Sequence, residues 1–84
     1  MVVPRASEGR ARVKYLVIIE KGSHNLSAYV PDLPGCVSTG RTIDEVLQNL
    51  REAVEGHLEV MRGFGDLIPE PLTEAVQIDV EVDA

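Results

Sequence analysis

The sequence predicts a single α+β domain in the order β-β-β-α-β. Three stretches carry that expectation. Residues 13–20 (VKYLVIIE) are β-branched and apolar at consecutive positions, as in a strand covered on both faces. Residues 43–64 place apolar side chains at spacings of three and four behind a capping signal, which marks one long amphipathic helix. Residues 75–83 (AVQIDVEVD) alternate apolar and polar, the period of a half-buried strand.

Taken in order, residues 1–12 mix Pro, Gly, Ser and Arg without a period and read as a flexible arm ahead of a domain over 13–84. In the first strand Tyr15, Val17 and Ile19 face one way, and Leu16 and Ile18 the other. Lys21-Gly22-Ser23-His24-Asn25 is a hairpin turn cluster. The second strand, 26–30 (LSAYV), turns Leu26, Ala28 and Val30 to one side and Ser27 and Tyr29 to the other. Pro31-Asp32-Leu33-Pro34-Gly35 interrupts it. A short third strand, 36–39 (CVST), is closed by Gly40. Thr42 and Glu45 form a capping box, in which the hydroxyl and the carboxylate each satisfy a helix-end N–H. The helix face is Ile43, Val46, Leu47, Leu50, Val54, Leu58 and Met61; Gly63 and Gly65 stop it. A proline-braced linker, 66–71, leads to the last strand, where Val76, Ile78, Val80 and Val82 point inward and Gln77, Asp79, Glu81 and Asp83 outward.

Three consecutive antiparallel strands form a meander. A right-handed crossover through the helix then places the last strand beside the first, giving a mixed four-stranded sheet of order 3-2-1-4 with one helix on one face. The first strand is apolar on both faces, so a second copy of the chain is expected to cover the other face, in a dimer or tetramer.

Charge and composition restrict the function. Up to Ile43 the net charge is +3, and from Asp44 onward it is −9, where eleven acids meet two cations. An acidic half repels phosphate backbones and favours a basic protein partner over nucleic acid. The one cysteine allows no internal disulfide and fits a reducing, cytoplasmic setting. The longest apolar run is far short of a membrane span, and the N-terminus lacks a signal-peptide core.

Candidate chemistry is sparse, and neither an enzyme nor a cofactor or metal site is expected. Cys36 lacks a nearby base and reads as a small buried apolar residue. His24 and His57 stand in separate elements, weak evidence for metal. Glu20, Glu45 or Glu52, and Asp79 stand loosely where an RNase H-type nuclease holds metal-binding carboxylates. However, Glu20 ends its strand and Asp79 belongs to an outward polar set. No phosphate loop, nucleophile elbow or zinc-finger spacing occurs.

YLVIIE, then AYVPDLPGCVSTGRTIDEVLQNLREAVEGHLE, then LIPEP resembles the N-terminal domain of HicB-type antitoxins and their single-domain relatives. The most specific piece is PDLPGC, followed by a strand, G-x-T and a helix opening with acids. The resemblance spans about Tyr15 to Val82. It implies a partial RNase H-like fold without the nuclease carboxylates. It also implies a partner, HicA, a small basic mRNA-cleaving toxin that the antitoxin occludes. Many relatives add a DNA-binding module. This sequence ends at Ala84, so none is expected here, nor direct nucleic-acid binding. Solitary relatives without a toxin offer the alternative of a binding or scaffold module. Candidate partner-binding residues are Glu52, Glu55 and Glu59 on the helix and Asp79 and Glu81 on the last strand. Pro31, Asp32, Leu33, Pro34 and Gly35 are expected to form a stiff connector, with Leu33 tucked beneath it.

Overall fold

The computed structural model describes residues 12–83, so all of the expected arm except Arg12 lies outside the described residues. Within them stand three strands, β1 (Ile18–Lys21), β2 (Leu26–Tyr29) and β3 (Val37–Gly40), followed by one helix, α1 (Ile43–Gly63). The strands form an antiparallel meander in the order β1-β2-β3. Ile18 stands opposite Tyr29, and Tyr29 opposite Val37. The helix lies on β3 and β2.

The core follows from alternation. Ala28, Val30, Leu33, Cys36, Val46 and Leu50 are buried together, and Tyr15, Val17, Ile19, Leu26, Val54 and Leu58 pack around them half-covered. As the alternation groups them, Tyr15, Val17 and Ile19 share one face of the first strand, and Leu26, Ala28 and Val30 one face of the second. Leu33 is 1 % exposed beneath its loop.

β1 is shorter than the apolar run that contains it. Continuing the register would set Val17 against Val30 and Leu16 against Pro31. Val30 N–H faces β3, where it is donated to the Cys36 carbonyl at 3.2 Å, and Pro31 has no N–H to offer Leu16. Residues 13–17 therefore find no paired strand on that side.

The expected fourth strand does not form in the single chain. Residues 66–83 carry no regular secondary structure, and Val76, Ile78, Val80 and Val82 are exposed instead of inward. β1 is accordingly an edge strand of a three-stranded sheet, where the inner position of a four-stranded sheet was expected. The root of the segment is tied at two points. The Tyr15 hydroxyl donates to the Pro69 carbonyl at 2.6 Å, and Thr73 donates to Asp32 through its backbone N–H at 3.1 Å and its hydroxyl at 2.8 Å. These bonds hold the chain first at the start of the β1 run and then at the β2–β3 loop.

Both ends of α1 are closed by local chemistry. The Thr42 hydroxyl accepts from Glu45 N–H at 3.0 Å, and the Glu45 carboxylate reaches back to Arg41 N–H at 2.9 Å, one residue before the cap itself. At the other end Asp66 N–H bonds Met61 carbonyl and Gly65 N–H bonds Arg62 carbonyl, with Gly65 at φ 77°. That is a Schellman closure, and glycine adopts its left-handed residue without strain. A further tie comes from Asn49, whose amide donates to the Thr39 carbonyl of β3 at 2.9 Å.

Candidate functional site: a partner-binding surface

The PDLPGC loop is two β-turns in series. Leu33 N–H bonds Val30 carbonyl at 3.0 Å, with Pro31 in the second turn position. Cys36 N–H bonds Leu33 carbonyl at 3.1 Å, with Pro34 second and Gly35 third at φ 90°. A type II turn requires that positive φ, which explains Pro-Gly at this point. Two prolines fix the backbone before folding, so the loop loses little entropy on ordering. Its role within the chain is to bury Leu33 and to present Asp32 to Thr73.

Cys36 is buried against that loop, and burial pushes its thiol above the ordinary 9.0. A thiol held in the protonated form is a poor nucleophile. The Tyr15 phenol is likewise pushed up, first by burial and then by the Asp32 charge and by Cys36. Of these groups, Tyr15 and Asp32 anchor the C-terminal segment through their bonds to Pro69 and Thr73. Among the described residues no group of three or more His, Cys, Asp or Glu is placed to hold a metal ion. No described helix is long and apolar enough to cross a membrane.

Three exposed surfaces remain for a partner. The first is the outer face of α1, where Glu45, Glu52, Glu55 and Glu59 are all exposed. Glu52 accepts from the Gln48 amide at 3.0 Å, a bond between residues four apart that steadies this row. The second is the extended segment 74–83, with Asp79 and Glu81 exposed along it. The five partner-binding candidates thus stand on two elements, Glu52, Glu55 and Glu59 on α1 and Asp79 and Glu81 on the extended segment, all of them exposed.

The third surface was reached from the sequence only through the first strand, whose second face a second copy was expected to cover; Tyr29 and Val37 were not assigned to it. On the sheet face away from α1, the register lines up Ile18, Tyr29 and Val37 across the three strands. Tyr29 and Val37 are exposed and Ile18 is half-buried. Strand alternation assigns each residue to that face, but only the pairing register sets the three side by side.

The family profile described as HicB_like antitoxin of bacterial toxin-antitoxin system matches residues 15–82. The chain belongs to the HicB-like antitoxin family. The match takes in the first strand, the PDLPGC loop, the helix and the extended segment. Among curated relatives, a UPF0150 protein of Thermoplasma acidophilum is 34% identical over 67 residues, covering 79% of this chain and 97% of that protein. An uncharacterized 14.9 kDa protein of Haemophilus phage HP1 is 38% identical over 56 residues, 67% of this chain but only 42% of the phage protein. Among solved structures, a chain of the HicA3 and HicB3 toxin-antitoxin complex superposes with TM-score 0.59 at 30% identity, over 71% of this HicB-like chain and 70% of that one.

Proposed function

We propose that this chain is an antitoxin that binds a small, basic, HicA-type mRNA-cleaving toxin and inhibits it by covering its active surface, without catalysis of its own. The observation that carries the reading is the likeness, at 30% identity, to a chain of a HicA–HicB complex. The family match over 15–82 supports it. Physical complementarity supports it too. A toxin that handles RNA is basic, and the half of this chain from Asp44 onward carries net charge −9. Complementary charge accelerates encounter and orients the partners, while apolar contacts hold the complex. The acidic row Glu52, Glu55 and Glu59 suits the first task, with Asp79 and Glu81 as the other acidic surface. The Ile18–Tyr29–Val37 row suits the second. The setting for this function is the bacterial cytoplasm, and the working form is a homo-oligomer with the partial RNase H-like sheet of four strands.

Co-expression with a toxin encoded beside the gene tests the reading. Growth arrest by the toxin is relieved when the two proteins are present in equal amounts; arrest that persists at equal amounts rejects it. Reversing Glu52→Lys together with Glu55→Lys slows association if the helix face meets the toxin, and raising salt does the same to the unaltered protein. A solitary scaffold role is the second reading, because family members without a toxin are expected from the resemblance. Pull-down from the native host separates the two, since a small basic ribonuclease is recovered only under the first.

A further inference from the structure

The segment 74–83 has the pattern of a strand and none of the surroundings of one. Val76, Ile78, Val80 and Val82 are 69–84% exposed, while Gln77, Asp79, Glu81 and Asp83 alternate between them. A period of two with one face wholly apolar is the pattern of a segment that buries that face. Its root is fixed by the Tyr15–Pro69 and Asp32–Thr73 bonds, so the direction of departure is set by the fold. The family match runs through residue 82, which makes the segment part of the domain. The radius of gyration is 15.9 Å, against about 11–12 Å for a compact chain of this length. The longest dimension is 58 Å, against 28 and 19 Å across.

The same chain also carries the complementary gap. β1 pairs with β2 on one side and with nothing described on the other. Residues 13–17, which continue it, lack a strand on both sides. Tyr15, Val17 and Ile19 turn toward the core and are only half-covered. An open edge of this kind presents a row of unpaired N–H and C=O groups. Residues 13–21 extend about 30 Å and residues 74–83 about 33 Å, so the two match in length. They match in charge as well. Arg12 and Lys14 are exposed at the start of the edge, and Asp79, Glu81 and Asp83 line the polar side of the segment.

We infer that two copies of this chain exchange their C-terminal segments, each supplying residues 74–83 as the fourth strand against the other's β1 edge. The exchange is reciprocal and closes as a two-fold dimer. It seats Val76, Ile78, Val80 and Val82 beside Tyr15, Val17 and Ile19, extending the half-covered side of each core. The strand order 3-2-1-4 is then reached between chains. This inference concerns assembly and stands whether or not the partner is a toxin.

The test uses the full chain at micromolar concentration. Sedimentation gives a mass of at least twice 9.2 kDa, and the amides of 76–82 are protected from hydrogen exchange. Ile78→Glu with Val80→Glu abolishes both while leaving the helical circular dichroism intact, because these side chains touch little of their own chain. Cross-linking identifies the donor. In a Cys36→Ser background, a tagged chain with Lys14→Cys is mixed, through a refolding step, with an untagged chain carrying Asp79→Cys. A short thiol cross-linker is expected to join the two. A monomer with protected 76–82 amides means that the segment closes on its own chain and overturns the inference. So does an oligomer in which those amides exchange freely, or one in which cross-links form only when both cysteines are in one chain.

Discussion

Gly40 and Gly56 both lack a side chain, and a methyl group would act oppositely at the two. At Gly40 an added Cβ meets the Val46 backbone, 2.6 Å from its nitrogen and 2.9 Å from its Cα. Backbone cannot rotate aside, so Gly40→Ala separates β3 from the first turn of α1 and is expected to cost about 2–3 kcal/mol. At Gly56 nothing lies within 4 Å. Gly56→Ala is therefore expected to stabilise the helix by about 0.5–1 kcal/mol. Urea unfolding of the two variants checks both signs. The sequence marks both positions simply as glycine; only the close approach of β3 to α1 separates them. Tyr15 and Cys36 set the alkaline limit. Both hold their protons more tightly folded than unfolded, so the unfolded chain releases protons first as pH rises. Their contribution is complete below the ordinary thiol value of 9.0 and is lost as pH climbs through the raised folded values. The urea midpoint is expected to fall between about pH 8 and pH 11, and to fall less in Tyr15→Phe with Cys36→Ala.

Among the elements, the helix was the most legible. Its start at Thr42, its apolar spacing and its glycine stop are all local signals, and α1 spans Ile43–Gly63. The meander was legible for the same reason, through alternation and turn residues. What the sequence could not show was the neighbour of each edge. A period of two says that Val76 to Val82 share a face, but not whose edge they meet. The residues that steer this segment were invisible as well. Asp32 looks like an ordinary turn acid, and Thr73 stands 41 positions away from it. Asp32→Ala removes both bonds to Thr73 and is expected to cost about 1 kcal/mol, the site being open to water. Amide exchange at Thr73 and beyond should quicken in that variant while the α1 amides keep their protection. Unchanged exchange at Thr73 would show that the linker prolines alone hold the segment root.

For the whole molecule, fold and family agree on a protein whose surfaces outweigh its interior in function. Among the described residues six apolar side chains are buried, and the acids, the cross-strand apolar row and the extended segment all lie outside them. Such a distribution suits the proposed inhibition by occlusion. The five acidic candidates were readable as exposed carboxylates from helical and strand periods. Their division between the helix and the last segment was readable too, whereas the extended path of that segment after Pro69 was not. Inhibition of the toxin is read by titration. Purified toxin encoded beside the gene is incubated with a defined mRNA while this protein is added in steps. Cleavage is expected to fall linearly and to end near one antitoxin chain per toxin; cleavage undiminished at tenfold excess of this protein would rule out inhibition.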